Sequence, residues 1–213
     1  MNKKEIGEYY TPFNLVSSMI EYVQEKILNM DVLEPSAGDG RFVNCLLNYK
    51  PKSLDCIELF ETKCQEIRKI SDSSKLNVIC NDFIEFSLNS NKKYDLIIGN
   101  PPYIKKTNMN STIINNSAKL LNELKIDKIK IENIWVSFIL ASVKLLKTNG
   151  SIFFVLPFEF LQVNYSEELR LYLEKKFNKI EIIVFDNKVF DNINIHCYIY
   201  TINNRTYYFI HAS

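Results

Sequence analysis

The 213-residue sequence contains no apolar run near the roughly 20 residues that span a bilayer. Residues 1–8 are polar and hold no apolar signal-peptide segment, so a cytoplasmic protein without a membrane partner is expected. Cysteine is present without pattern. Cys45, Cys56, Cys64, Cys80 and Cys197 are odd in number and include no CxxC pair, and only His196 and His211 stand beside them. No disulfide framework and no metal site is expected; the thiols read as small buried hydrophobes kept reduced. Charge of one sign is also missing, with 26 Lys and Arg against 25 Asp and Glu. A chain that grips a long stretch of nucleic acid by itself usually carries a clear basic excess. There is no internal repeat and no linker, so one domain over residues 1–213 is expected.

Positive charge is local instead. Between Ile104 and Lys130 stand six lysines (105, 106, 119, 125, 128 and 130) against Glu123 and Asp127. A solvated helix or loop face is the plain explanation, and a phosphate-facing surface is the functional one.

Hydrophobic periodicity alternates between strand and helix, which points to a mostly parallel sheet covered on both faces. Strands are expected at 31–34, 53–59, 76–80, 94–99, 151–156 and 179–185, then 196–202, with 205–211 as a possible last one. Helices are expected from near Pro12, at 41–48, 61–70, 131–147 (ended by Thr148-Asn149-Gly150) and 166–177. Residues 105–116, rich in Asn, Ser, Thr and Lys, show no dominant period and read as a mobile loop.

Three successive strand ends carry polar chemistry. The first runs into Glu34-Pro35-Ser36-Ala37-Gly38-Asp39-Gly40 before a helix, where glycines let the backbone approach a ligand. Glu58 ends the second strand, placed to accept hydrogen bonds from ribose hydroxyls, and Asp82 follows the third, placed to accept one from an adenine amine. The dinucleotide fingerprint lacks its third glycine here, because the turn reads GDGRFV, and no Walker lysine is present for a triphosphate.

One strand further on comes Asn100-Pro101-Pro102-Tyr103. The prolines stiffen the turn and remove N–H donors, leaving carbonyls to face a substrate. Asn100 adds a side-chain carbonyl and Tyr103 an aromatic face on which a base can stack. An adenine amine is a poor nucleophile because its lone pair is delocalised into the ring. Two acceptors holding its N–H bonds would draw the nitrogen towards tetrahedral geometry and stabilise the charge that develops on it.

VLEPSAGDG, IELF, NDF and NPPY resemble motifs I, II, III and IV of S-adenosylmethionine (SAM)-dependent amino methyltransferases. The segment Gly7 to Pro12 resembles motif X of the gamma class of N6-adenine DNA methyltransferases, and motifs X, I and IV stand in the gamma order. The resemblance implies a Rossmann-like class I methyltransferase fold, α/β, with a seven-stranded mostly parallel sheet, helices on both faces and the last strand antiparallel. By matching positions, Tyr10, Thr11, Glu34, Pro35, Ser36, Gly38, Asp39, Gly40, Glu58, Leu59, Asp82, Phe83 and Asn100 would bind SAM. Asn100, Pro101, Pro102 and Tyr103 would carry catalysis. Phe185 to Phe190 resembles motif VIII, with Phe190 as the second aromatic against a flipped base and Phe185 as the other candidate. Lys105 and Lys106 would touch phosphates.

The same resemblance divides the chain into a motif X region (1–30), a SAM-binding half (31–100), a catalytic and DNA-facing segment (101–130) and a substrate half (131–213). It implies adenine methylation in DNA within a restriction-modification or related defence system. A target-recognition domain is not seen, so a missing C-terminal domain or a separate recognition subunit is expected as partner. NPPY is shared with RNA methyltransferases and enzymes that methylate protein glutamine. Those substrates, and an inactive SAM-binding scaffold, stay open as alternatives.

Overall fold

The computed structural model describes residues 10–185, 195–201 and 207–212, with the side chains of 184, 185 and the last two segments left out of the description. Its centre is a parallel sheet of five strands in the order β3-β2-β1-β4-β5: β1 (Asp31–Glu34), β2 (Ser53–Glu58), β3 (Leu76–Cys80), β4 (Tyr94–Gly99) and β5 (Leu146–Pro157). Beyond β5 lie β7 (Ile195–Thr201), β6 (Lys179–Phe185) and β8 (Tyr207–Ala212). Only β7 runs against its neighbours; β8 pairs parallel to β6. Among the described residues the sheet therefore has eight strands, not the seven that the resemblance implied: the possible last strand at 205–211 is present as β8, so the antiparallel strand is not the last.

Central strands buried on both faces must be apolar throughout, and these are. Along β5 the alternation assigns Ile152, Phe154 and Leu156 to one core and Phe153 and Val155 to the other. The second core is closed by α1 (Phe13–Ile27) and α2 (Arg41–Asn48), with Ile67 from α3 (Glu61–Arg68). The first is closed by α4 (Phe83–Asn89), α5 (Ser111–Glu123), α6 (Ile134–Leu145), the short α7 (Glu159–Gln162) and α8 (Glu167–Lys176). No helix of the described residues is long and apolar enough to cross a membrane.

Helices α4 and α7 had no counterpart in the sequence reading, and two further segments differ from theirs. Residues 105–116 are not a loop: a 3-10 turn at Lys106–Asn108 leads into α5, whose start is capped by Asn110 Oδ1 accepting from Ile113 N at 2.9 Å. The period was hidden because the buried stripe of α5 includes Asn116 and Ser117 among Ile113, Leu120 and Leu124. Ser117 Oγ meets Ser137 Oγ of α6 at 2.8 Å, so the buried hydroxyl is satisfied.

The second difference is at 146–150, expected as the end of a helix. α6 stops at Leu145 and β5 already begins at Leu146. Tyr94 pairs with Leu146 and Leu96 with Ser151, so five steps on β5 face two on β4, a bulge. Gly150 belongs to that bulge rather than to a helix cap. A Cβ there would lie 2.7 Å from Leu146 Cγ and 2.9 Å from the Tyr94 carbonyl oxygen.

Candidate functional site

The chain leaves β1 for β2 on one side and returns through β3 to β4 on the other, so a crevice opens outside the carboxyl ends of β1 and β4. A cleft of about 850 Å³ fills it, with an extension of about 290 Å³ that shares Tyr10, Ser36, Gly38 and Asn100 as walls. Pro35, Glu58, Leu59, Asp82, Phe83 and Pro102 line the larger part. Thr11, Glu34 and Asp39 line the smaller. Nearly all the residues singled out from sequence thus meet in one place.

Backbone chemistry explains the shape of the glycine turn. Gly38 (φ 57°) and Gly40 (φ 77°) take left-handed conformations that other residues rarely adopt. Glu58 reaches across from β2, its Oε2 accepting from Gly38 N at 2.9 Å and its Oε1 from Phe60 N at 3.0 Å. The turn is therefore tied to the end of β2. Ser36 Oγ donates to the Asn100 carbonyl oxygen at 2.9 Å, tying the same turn to the start of NPPY. Gly40 lines neither part of the crevice; it is the N-cap of α2.

Of the carboxyls lining the crevice, burial raises the pKa of Glu34, Glu58 and Asp82. Glu58 and Asp82 are lifted by desolvation, partly offset by their backbone hydrogen bonds. Asp82 also caps α4 by accepting from Glu85 N at 2.8 Å. Glu34 is lifted well above the carboxylate range by burial and by the charges of Asp39 and Glu58. Among the described residues its Oε2 is buried without a hydrogen-bond partner. Such a set favours a ligand rich in donors or carrying positive charge.

Around the turn at Asn100 to Tyr103, Tyr103 Oη donates to Asn100 Oδ1 at 2.9 Å and lies 3.2 Å from the Val155 carbonyl oxygen. Asn100 lines both parts of the crevice, whereas Pro101 is buried and Tyr103 packs against both cores. Lys105 and Lys106 are exposed away from the crevice, and Lys106 Nζ meets Glu132 Oε1 at 3.4 Å. Phe190 and most of the segment around it lie outside the described residues.

Several lining residues had no sequence signal of their own. Arg41 bonds Asp39 Oδ2 at 2.7 Å and the Thr11 carbonyl oxygen at 2.8 Å, and its guanidinium lies 5.6 Å from the centroid of the Tyr10 ring. Lys63 also lies over that ring, at 5.5 Å. These contacts fold the segment before α1 over the glycine turn. Ile104, Ile113, Ile134 and Phe138 form the apolar far wall. Ile113 was hidden because its helix read as loop.

The strand order, the single antiparallel strand and the position of the crevice define a class I S-adenosylmethionine-dependent methyltransferase fold. The model of the Eco57I restriction-modification methylase family matches residues 22–190, and the chain belongs to that family. It is 27% identical over 195 residues to the Type II methyltransferase M.AccI of Acinetobacter calcoaceticus, covering 90% of this chain and 35% of that protein. It is 28% identical over 207 residues to the Type II methyltransferase M.HincII of Haemophilus influenzae, covering 90% of this chain and 36% of that protein. The chain thus spans about a third of the length of these curated relatives. Among solved structures, the type IIG restriction endonuclease BpuSI superposes with a TM-score of 0.75 at 15% identity, over 93% of this chain and 26% of that one. The M protein of the Type I restriction enzyme EcoKI gives 0.68 at 13% identity, over 97% and 49%. At such identity the superpositions speak for the fold.

S-adenosylmethionine is the cofactor of this family and fold, and the crevice suits it. The orphaned Glu34 Oε2 lacks a donor that an ammonium would supply. Glu58 faces the cleft with spare lone pairs for hydroxyls, and Phe83, Leu59 and Ile113 offer apolar contact for a purine.

Proposed function

We propose that this chain is the catalytic module of a DNA methyltransferase that methylates the exocyclic N6 amine of an adenine turned out of the duplex, within a restriction-modification system. The observation that carries the proposal is the placement of Asn100. Asn100 lines both parts of the crevice, and its backbone carbonyl is held to the glycine turn through Ser36. Relatives named as Type II methyltransferases support the DNA substrate.

In this reading SAM supplies a methyl already activated on a sulfonium, so the protein needs no covalent nucleophile. Asn100 Oδ1 and the Pro101 carbonyl accept the two amine hydrogens and stabilise positive charge as it builds on the nitrogen. The hydroxyl of Tyr103 donates to Asn100 Oδ1, which fixes the oxygen end of the amide in place. The Tyr103 ring and Phe190 are the candidate faces for the base, and Lys105 and Lys106 the candidate phosphate contacts. A recognition domain or subunit outside this chain is the proposed source of target specificity.

The test is transfer of labelled methyl from SAM to mixed-sequence DNA, RNA and protein, followed by nucleoside analysis. N6-methyladenine in DNA is expected. Label in RNA or in protein glutamine would replace the substrate. Asn100→Ala should lower transfer by at least about a hundredfold while changing SAM affinity little; equal loss of both would remove Asn100 from the chemistry.

A further inference from the structure

Cys64 and Cys80 are far apart in sequence, and no metal motif joins them. The fold does. Cys64 lies in α3 one turn after Glu61, and Cys80 is the last residue of β3, which runs parallel to β2. A sulfur from each cysteine and a carboxylate oxygen of Glu61 all lie within 4.8 Å of one another. Tetrahedral Zn2+, with Zn–S near 2.3 Å and Zn–O near 2.1 Å, separates such ligand atoms by about 3.6–3.8 Å. A displacement of about an ångström at most would close the triad on an ion.

Two features beyond the triad point the same way. Arg68 Nη1 donates to Glu61 Oε1 at 2.9 Å while its Nη2 reaches the Val78 carbonyl oxygen at 3.4 Å. The carboxylate is thereby oriented from outside, as carboxylate ligands usually are, and keeps a second oxygen. Cys64 is buried as expected, whereas Cys80, expected buried, is exposed at the end of its strand together with Glu61, so an ion has a route in from solvent.

We propose that Glu61, Cys64 and Cys80 form a binding site for one thiophilic divalent cation, with Zn2+ the ion that fits best and a fourth position open to water. Two thiolates and a carboxylate suit a borderline-soft ion and reject Mg2+ and Ca2+, which take oxygen ligands. Each thiol releases its proton to solvent on coordination, and no electron is transferred. The ion would fasten the start of α3 to the end of β3. Phe60 and Asn81, the chain neighbours of Glu61 and Cys80, line the cofactor crevice, so the ion would stiffen that wall from behind.

The test does not depend on methyl transfer. The full chain, reduced and stripped with a chelator, is titrated with Cd2+ as a spectroscopic probe. One equivalent should give the ultraviolet thiolate-to-metal band, Zn2+ should displace it, and Zn2+ should raise Tm in a chelator-reversible way. Cys80→Ser and Glu61→Gln, both at exposed positions, should each weaken binding by more than about tenfold, and Arg68→Gln by roughly tenfold. Cys45→Ser should leave the band unchanged. A stoichiometric titration without the band overturns the proposal, as does a band retained at full strength in folded Cys80→Ser. A mass two hydrogens lower with no metal bound also overturns it, because the pair would then be a redox couple.

Discussion

Glu34 is a carboxyl withdrawn almost wholly from water. Burial and two neighbouring acids raise its folded pKa, so between the ordinary carboxyl range and that raised value the native state holds a proton that the unfolded chain has lost. Its stabilising protonation is complete at acid pH and is lost as pH rises through the folded pKa. Glu34→Gln should therefore raise the ligand-free Tm at neutral pH, by about 2–4 °C for each kcal/mol recovered. The gain should shrink on acidification. A ligand ammonium reverses the preference, because it favours the ionised carboxylate. SAM affinity should then rise with pH up to the folded pKa, and Glu34→Gln should weaken binding by roughly ten- to a hundredfold and flatten that rise. Calorimetric titration across pH checks both statements; an unchanged profile in the variant would move the ammonium elsewhere. Tyr103 offers a second test at this scale. Tyr103→Phe keeps the ring but removes the hydroxyl that orients the Asn100 amide, so kcat should fall about tenfold with KM for SAM unchanged. An equal loss in KM would mean that the hydroxyl supports cofactor binding instead.

At the scale of elements, α5 is where a local defect should reach the crevice. Asn110 caps it and Ile113, three residues on, forms part of the apolar wall. Asn110→Ala should cost about 1 kcal/mol of stability and speed hydrogen exchange across the first turn of α5, with SAM bound a few-fold more weakly. Unchanged exchange at Ile113 would show that packing on α6 holds the turn without its cap. The same element shows what the sequence reveals and what it hides. The polar strand ends, Glu34, Glu58, Asp82 and Asn100, were legible because each closes an apolar run at a turn, and the fold gathers them at one edge. Helix α5 was not, because Asn116 and Ser117 occupy its buried stripe and their pairing with α6 is a tertiary fact. The early start of β5 was hidden for a related reason. Thr148-Asn149-Gly150 has the composition of a helix stop, and only the approach of Gly150 to Leu146 and the Tyr94 carbonyl reveals a bulge.

For the molecule as a whole, charge is the quantity that the fold redistributes. The formal net charge is only +1, yet the six lysines between 105 and 130 are all exposed and follow the turn at Asn100 to Tyr103. If that face meets a phosphate backbone, each contact adds about 0.9 to the steepness with which log K falls against log salt on duplex DNA. Six contacts would set a limit of about −5, and fewer are expected from one module. Lys105→Ala should reduce the slope by about one. Lys106→Ala should do nearly the same, because its exposed pairing with Glu132 at 3.4 Å is worth at most about 1 kcal/mol and yields readily to a phosphate. Neither substitution should alter SAM affinity, since neither side chain lines the crevice. Salt titrations of binding to a mixed-sequence duplex decide the matter. A slope that both variants leave unchanged would mean that this lysine face does not touch the backbone, and that any DNA contact is made by other surfaces.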